Sequence, residues 1–226
     1  QPRPPMPIEV GTPRARIADA AQYWSISGLM PALSGRTVAI LCDFTFEDME
    51  LMWPKMRLEE EGATVVVVGG HPAGTKYTGK YGYPVKSDKC ADDVSADDFA
   101  ALIIPGGFAP DYMRRVAKLC TLTTTMLEQG KPVAAICHGP WMFCSARRAA
   151  DNSPVIKGHS STAFVAIKDD IINAGATWVD QPVCISRSFG ELLITSRTPG
   201  DLIPFALAII DAIKSSSSAG SAMALS

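Results

Sequence analysis

The chain holds 226 residues, 47% hydrophobic and 19% charged, which is enough to bury one α/β core and removes any need for disulfide staples or a structural metal. Its 21 Lys+Arg oppose 23 Asp+Glu for a net charge of −2, and the paired cations Arg114-Arg115 and Arg147-Arg148 are isolated, so the clustered basic face that nucleic acid requires is missing. The apolar runs Val38–Cys42 and Thr64–Val68 fall far below the ~18–20 residues that span a bilayer, which excludes a helical membrane partner.

In chain order, Gln1–Pro13 carries five prolines and no periodicity and reads as a loose arm. Arg14–Leu33 places Ile17, Ala20, Ala21 and Trp24 at helical spacing, so residues 1–35 are expected to form an N-terminal extension laid on a domain spanning 36–214. From Thr37 onward, short β-branched runs alternate with helical stretches. Thr37–Cys42 predicts a strand, Glu47–Glu61 a helix closed by Gly62, and Thr64–Val68 a second strand. Ala101–Ile104 and Pro132–Cys137 predict further strands, separated by a helical stretch Asp111–Gly130 that contains a break. A helix is expected from about Gly139, strands over Ala176–Asp180, Val183–Ser186 and Leu192–Thr195, and a closing helix over Leu202–Lys214 with Leu202, Phe205, Ile209 and Ile213 on one stripe. Ser215–Ser226 is Ser/Ala-rich and reads as a flexible tail. Strands that are apolar throughout are buried on both faces, and the βαβα order predicts a doubly wound, mostly parallel α/β sheet sandwiched by helices.

The six cysteines (Cys42, Cys90, Cys120, Cys137, Cys144, Cys184) include no CxxC pair, and His71, His138 and His159 share no ligand spacing, so zinc has no support. Cys42, Cys137 and Cys184 sit in strand-like runs that suit free thiols. Together with the lack of a charged-then-apolar leader pattern, this leads us to expect a reducing, cytoplasmic setting.

In such sheets functional groups collect on the turns after the carboxyl ends of the strands. Three turns stand out: Asp43–Asp48, Pro105–Asp111 and Cys137–Pro140. The last carries an apolar strand into Cys137-His138-Gly139 and then a helix, the logic of a nucleophile elbow, where a helix N-terminus favours thiolate over thiol. Read alone, Cys137 could equally be the end of a core strand and His138 a polar helix start. Gly106 and Gly107 lack Cβ atoms, so their backbone can approach a cleft and offer an oxyanion N–H, or simply make a turn. Glu47, in a first helical turn, has an ordinary reading as a dipole partner.

Five ordered motifs change the weighting: Phe46-Glu47-Asp48-Met49-Glu50-Leu51, Gly79-Lys80-Tyr81-Gly82-Tyr83-Pro84-Val85-Lys86, Pro105-Gly106-Gly107-Phe108-Ala109-Pro110-Asp111, Ala135-Ile136-Cys137-His138-Gly139-Pro140, and Ile167 through Ala176. Over Arg36 to Lys214 the chain resembles the ThiJ/PfpI family of the class I glutamine amidotransferase-like superfamily, and most closely its PfpI peptidase-like branch. The resemblance implies a flavodoxin-like sandwich with Cys137 as nucleophile, His138 beside it, Glu47 as the acid that donates to the sulfur, and the N–H groups of Gly107 and His138 as oxyanion hole. Asp111 stands where the branch has a glutamate that reaches a neighbouring subunit's histidine, which implies a homo-oligomer, at least a dimer. Phe108 replaces a common arginine, Phe164 stands where a tyrosine often lines the pocket, and Arg147–Gly158 resembles an insertion.

The activity implied is cofactor-independent. Cys137 adds to small reactive carbonyls such as methylglyoxal, with His138 or Glu47 moving protons, as in glyoxalase- and deglycase-type enzymes. Two alternatives remain at this point: peptide or amide hydrolysis through an acyl-enzyme, and a non-enzymatic redox sensor or stress-protective protein acting through Cys137 oxidation.

Overall fold

The aliphatic runs become the sheet. A computed structural model describes residues 31–223, with side chains through residue 216. In it β1 (Thr37–Cys42), α1 (Asp48–Glu60) and β2 (Thr64–Gly69) form a first βαβ unit. A hairpin of β3 (Lys76–Thr78) and β4 (Pro84–Lys86) and a short β5 (Lys89–Cys90) follow. Next come β6 (Ala101–Ile104), α2 (Ala109–Met113), α3 (Ala117–Glu128) and β7 (Pro132–Ile136). The chain continues through α4 (Trp141–Ser145), β8 (Ser160–Ser161), α5 (Lys168–Asn173) and β9 (Thr177–Trp178). It closes with the hairpin β10 (Val183–Ser188)/β11 (Glu191–Ser196) and α6 (Leu202–Met223).

The main sheet has the order β10-β11-β7-β6-β1-β2-β5, parallel throughout except where β10 runs antiparallel to β11. Its central order, β2-β1-β6-β7-β11, is the flavodoxin-like doubly wound topology. Every residue of β6 and β7 is buried, which is why those strands are apolar without alternation. The predicted stripe of the last helix, Leu202, Phe205, Ile209 and Ile213, is 0–5% exposed and closes one face of the core. All six cysteines are unpaired. Among the described residues no helix is long and apolar enough to cross a membrane.

Several elements differ from their sequence reading. The helix after Gly139 is only Trp141–Ser145, because Ala146 leaves helical geometry and Arg147 bridges to Pro154 in the loop read as an insertion. The stretch Ala176–Asp180 yields only Thr177–Trp178, which pairs with Ser160–Ser161 outside the main sheet. The last helix continues through Met223 into the residues read as a flexible tail, and the first serines there bond back to it: Ser215 Oγ donates to the Asp211 carbonyl and Ser216 Oγ to that of Ile213. The expected helix in Arg14–Leu33 and the proline-rich arm lie outside the described residues, apart from residues 31–33.

Candidate active site

The turns after β1, β6 and β7 meet at the point where the strand order reverses, between β1 and β6. Cys137 follows the last residue of β7 with φ of +60°, a left-handed conformation that a non-glycine residue rarely adopts. Its backbone is fixed on both sides: its N–H donates to the Ser196 carbonyl at 3.0 Å, and its carbonyl accepts from Phe164 N–H at 2.9 Å. Gly139 makes the elbow possible, since a Cβ there would lie 2.5 Å from the Ile104 carbonyl oxygen and 2.8 Å from that of Ile136. The strand–nucleophile–helix turn expected from the sequence is present, and the Cys137 side chain is 8% exposed.

The glycine pair faces this elbow. A Cβ on Gly106 would lie 2.6 Å from Glu50 Oε2, 2.7 Å from Cys137 Cβ and 2.9 Å from His138 N, while Gly107, at φ +71°, backs onto the Thr45 carbonyl and the Glu47 amide. Only a residue without a side chain allows this approach. The amides of Gly107 and His138 both act on the Cys137 sulfur and draw its pKa down, as oxyanion donors would.

The acid at the sulfur is not the one expected. Glu47 is the N-cap of α1: its Oε2 accepts from Glu50 N–H at 2.9 Å, and its own N–H donates to the Gly106 carbonyl at 3.2 Å. This carboxylate is engaged in capping its own helix, and its effect at the site is to raise the pKa of Glu50. One turn later Glu50 is fully buried. Its Oε2 accepts from Gly106 N–H at 2.8 Å. Its Oε1 lacks a conventional partner, leaving the Cys137 sulfur as the group on which it acts. Burial, joined by Glu47, pushes Glu50 up to about 8, so the carboxyl is mostly protonated at neutral pH and can donate. The signal was in the sequence: Glu50 lies on the inward stripe of α1 with Leu51, Pro54 and Leu58, all buried. An acid on an apolar stripe is the anomaly to follow.

Cys137 itself departs from the thiolate expected at a helix N-terminus. Burial, and repulsion by any charged Glu50, push its thiol up to about 12 against the pull of the two amides. The helix that follows is five residues long and starts at Trp141, so its dipole contributes little. His138 supplies what is missing. Its Nδ1 lies 3.2 Å from the sulfur, and burial together with the charge of Lys80 lowers its pKa, keeping the imidazole neutral and able to accept the thiol proton. The ring is stacked on Phe164 at 5.0 Å and 29° and meets the edge of Trp141 at 5.0 Å.

The remaining candidates divide. Phe164 is brought to the site by that stacking. Phe108 is half exposed beside Tyr112 at 5.4 Å, on the turn that carries Gly107. Asp111, on α2, pairs with Arg115, and among the described residues no hydrogen bond or ion pair joins it to His138.

Residues 36–212 match the DJ-1/PfpI family. A Thermococcus kodakarensis protein named Deglycase TK1284 is 44% identical over 165 residues, covering 73% of this chain and 92% of its own. The Pyrococcus furiosus protein Deglycase PfpI is 42% identical over 157 residues, covering 70% and 87%. Among solved structures, an Anabaena variabilis two-domain protein with DJ-1/ThiJ/PfpI-like and ferritin-like domains aligns with a TM-score of 0.71 at 38% identity over 78% of this chain, which spans 47% of that longer molecule.

Proposed function

The chain belongs to the DJ-1/PfpI family, and we propose that it is a deglycase-type enzyme using Cys137 to convert small α-oxoaldehydes, and their early adducts with amines, to 2-hydroxy acids. The supporting observation is the protonated carboxyl of Glu50 buried against a sulfur whose other neighbour, at 3.2 Å, is a neutral histidine. As the sulfur attacks the aldehyde carbon, His138 Nδ1 takes the thiol proton, and the oxygen that gains charge faces the Gly107 and His138 amides. Moving the proton of the attacked carbon to its neighbour turns the hemithioacetal into a thioester, and water then releases the hydroxy acid and restores the thiol. Methylglyoxal plus water thus balances to lactic acid, and an amine adduct releases its free amine in addition. Glu50, a donor in its acid form, is placed to stabilise sulfur while it carries negative charge.

Amide hydrolysis would use the same thiol and amides, but it calls for a histidine oriented by a carboxylate, and among the described residues no carboxylate bonds to His138. In our reading a second copy would supply Asp111. The test is to incubate the protein with methylglyoxal, with its N-acetyl-lysine adduct and with fluorogenic peptides, following hydroxy-acid formation by NMR. Cys137→Ser serves as control. Hydroxy acid formed only with Cys137 intact is expected. Peptide cleavage without oxoaldehyde turnover would replace the proposal with the amidase reading, and inactivity toward both would leave the sensor reading.

A further inference from the structure

The loop that joins β3 to β4 is fastened to the start of α1. Asp48 accepts from Tyr81 N–H at 2.8 Å through Oδ2 and from Tyr83 N–H at 2.9 Å through Oδ1. Gly79 leaves room for no Cβ against that carboxylate, which would lie 2.5 Å away. Lys80 N–H donates to the Phe46 carbonyl at 2.8 Å, and Phe46 in turn bridges to Gly107, whose amide acts on the sulfur. Two backbone links therefore separate Lys80 from the oxyanion donor. The Lys80 ammonium is solvent-exposed, lies 4.9 Å from the centre of the Tyr81 ring, and forms no ion pair among the described residues.

The charged and titratable groups around the sulfur come from three elements. Helix α1 contributes Glu50 and its N-cap Glu47, the elbow contributes neutral His138, and the β3–β4 loop contributes Lys80. Electrostatic coupling ties Lys80 to Cys137, Glu47, Glu50 and His138 alike. The acids are held by hydrogen bonds or kept protonated, the following helix is too short to supply a dipole, and Lys80 is the cation common to these groups.

We propose that Lys80, tied to the site by the β3–β4 loop, sets a positive potential at the Cys137 sulfur and selects α-oxoaldehydes that carry an anionic group beyond their two carbonyls. Such substrates, of which 4,5-dioxopentanoate is an example, deliver a carboxylate to the mouth of the site as the sulfur attacks the aldehyde, and conversion to the 2-hydroxy acid leaves that carboxylate unchanged. The substrate half of this inference rests on the function proposed above; the potential at the sulfur does not.

Two alkylating agents of nearly equal size separate charge from structure. Rates of Cys137 modification by anionic iodoacetate and neutral iodoacetamide are measured by mass spectrometry in the full chain, Lys80→Gln and Lys80→Arg. An exposed cation acts through solvent, so Lys80→Gln should lower the iodoacetate-to-iodoacetamide rate ratio about two- to fivefold. Lys80→Arg should keep the ratio, and 1 M salt should erase the difference between the variants. A purely structural role would change both rates equally. An unchanged ratio in Lys80→Gln, or its loss in Lys80→Arg with native thermal stability, overturns the proposal. In turnover, Lys80→Gln should raise KM for 4,5-dioxopentanoate more than for methylglyoxal, and equal effects overturn the selectivity. A wild-type protein that shows the alkylation pattern but no turnover of either carbonyl overturns the proposed reaction and leaves the charge assignment standing.

Discussion

Replacing Glu50 by Gln should make the protein more stable and less active, and the size of the first effect follows from the site. The Glu50 pKa rises from 4.5 to about 8 on folding because the carboxyl is buried beneath Gly106. The folded state therefore binds a proton that the unfolded chain has already released between those two values. Stability from this group is complete below pH 4.5 and is lost as pH rises toward 8. At pH 7 the folded state has crossed two and a half pH units of that window at about 1.36 kcal/mol each, so holding this acid costs about 3 kcal/mol. Gln keeps an oxygen for Gly106 N–H and an N–H for the sulfur and cannot ionise. Thermal melts of Glu50→Gln, both alone and in a Cys137→Ser background that removes coupling to the thiol, should show a gain near zero at pH 4.5. The gain should grow to about 6–12 °C at pH 7, at 2–4 °C per kcal/mol for a domain of this size, and level off above pH 8. A difference that does not change with pH, or no gain at pH 7, would refute the protonated buried acid and with it the donor role at the sulfur.

Other consequences can be checked directly. Glu47→Ala should cost about 0.5–1 kcal/mol through loss of the α1 cap yet leave the alkylation rate of Cys137 within twofold of wild type, whereas the assignment of Glu47 to the sulfur would require a large loss. Gly106→Ala should abolish turnover and destabilise by about 1–3 kcal/mol in denaturant titrations, since its methyl meets Glu50, Cys137 and the His138 amide inside 3 Å; a stable, active variant would contradict the close approach. Mixing Cys137→Ala with Asp111→Ala under subunit exchange should restore turnover if the partner's Asp111 serves His138, and sedimentation of the active protein as a monomer would end that reading.

The chemistry of the strands made the sheet legible: runs dominated by aliphatic residues had to be interior strands with parallel neighbours, and β1, β2, β6 and β7 are. The elbow became legible only when the ordered motifs were read together, because Cys-His-Gly after an apolar strand suits the plain end of a core strand as well. What sequence concealed was direction. Glu47 and Glu50 sit three residues apart on one helix, and either could have faced the thiol. Glu47 captures the free Glu50 amide at the helix start, and that local hydrogen bond decides the matter in favour of Glu50. The truncated helix after Trp141 was hidden for a similar reason: its residues suit a helix, but Ala146 turns extended and the chain folds back on itself at Arg147 and Pro154. The thiol's raised pKa follows from burial, which no local motif encodes.

Because main-chain bonds to Ser196 and Phe164 fix the Cys137 elbow on both sides, the position of the reacting atom depends little on the half-exposed side chains on the facing turn. Phe108 and Tyr112, which meet edge to face at the turn that carries Gly107, can then be exchanged by design while the nucleophile keeps its place. A retargeting library confined to those two aromatics, leaving Phe164 on His138 and Tyr81 on Lys80 in place, would vary what enters the site with least disturbance to what happens there, and the tolerance of its members would map how far substrate choice and chemistry are separable in this fold.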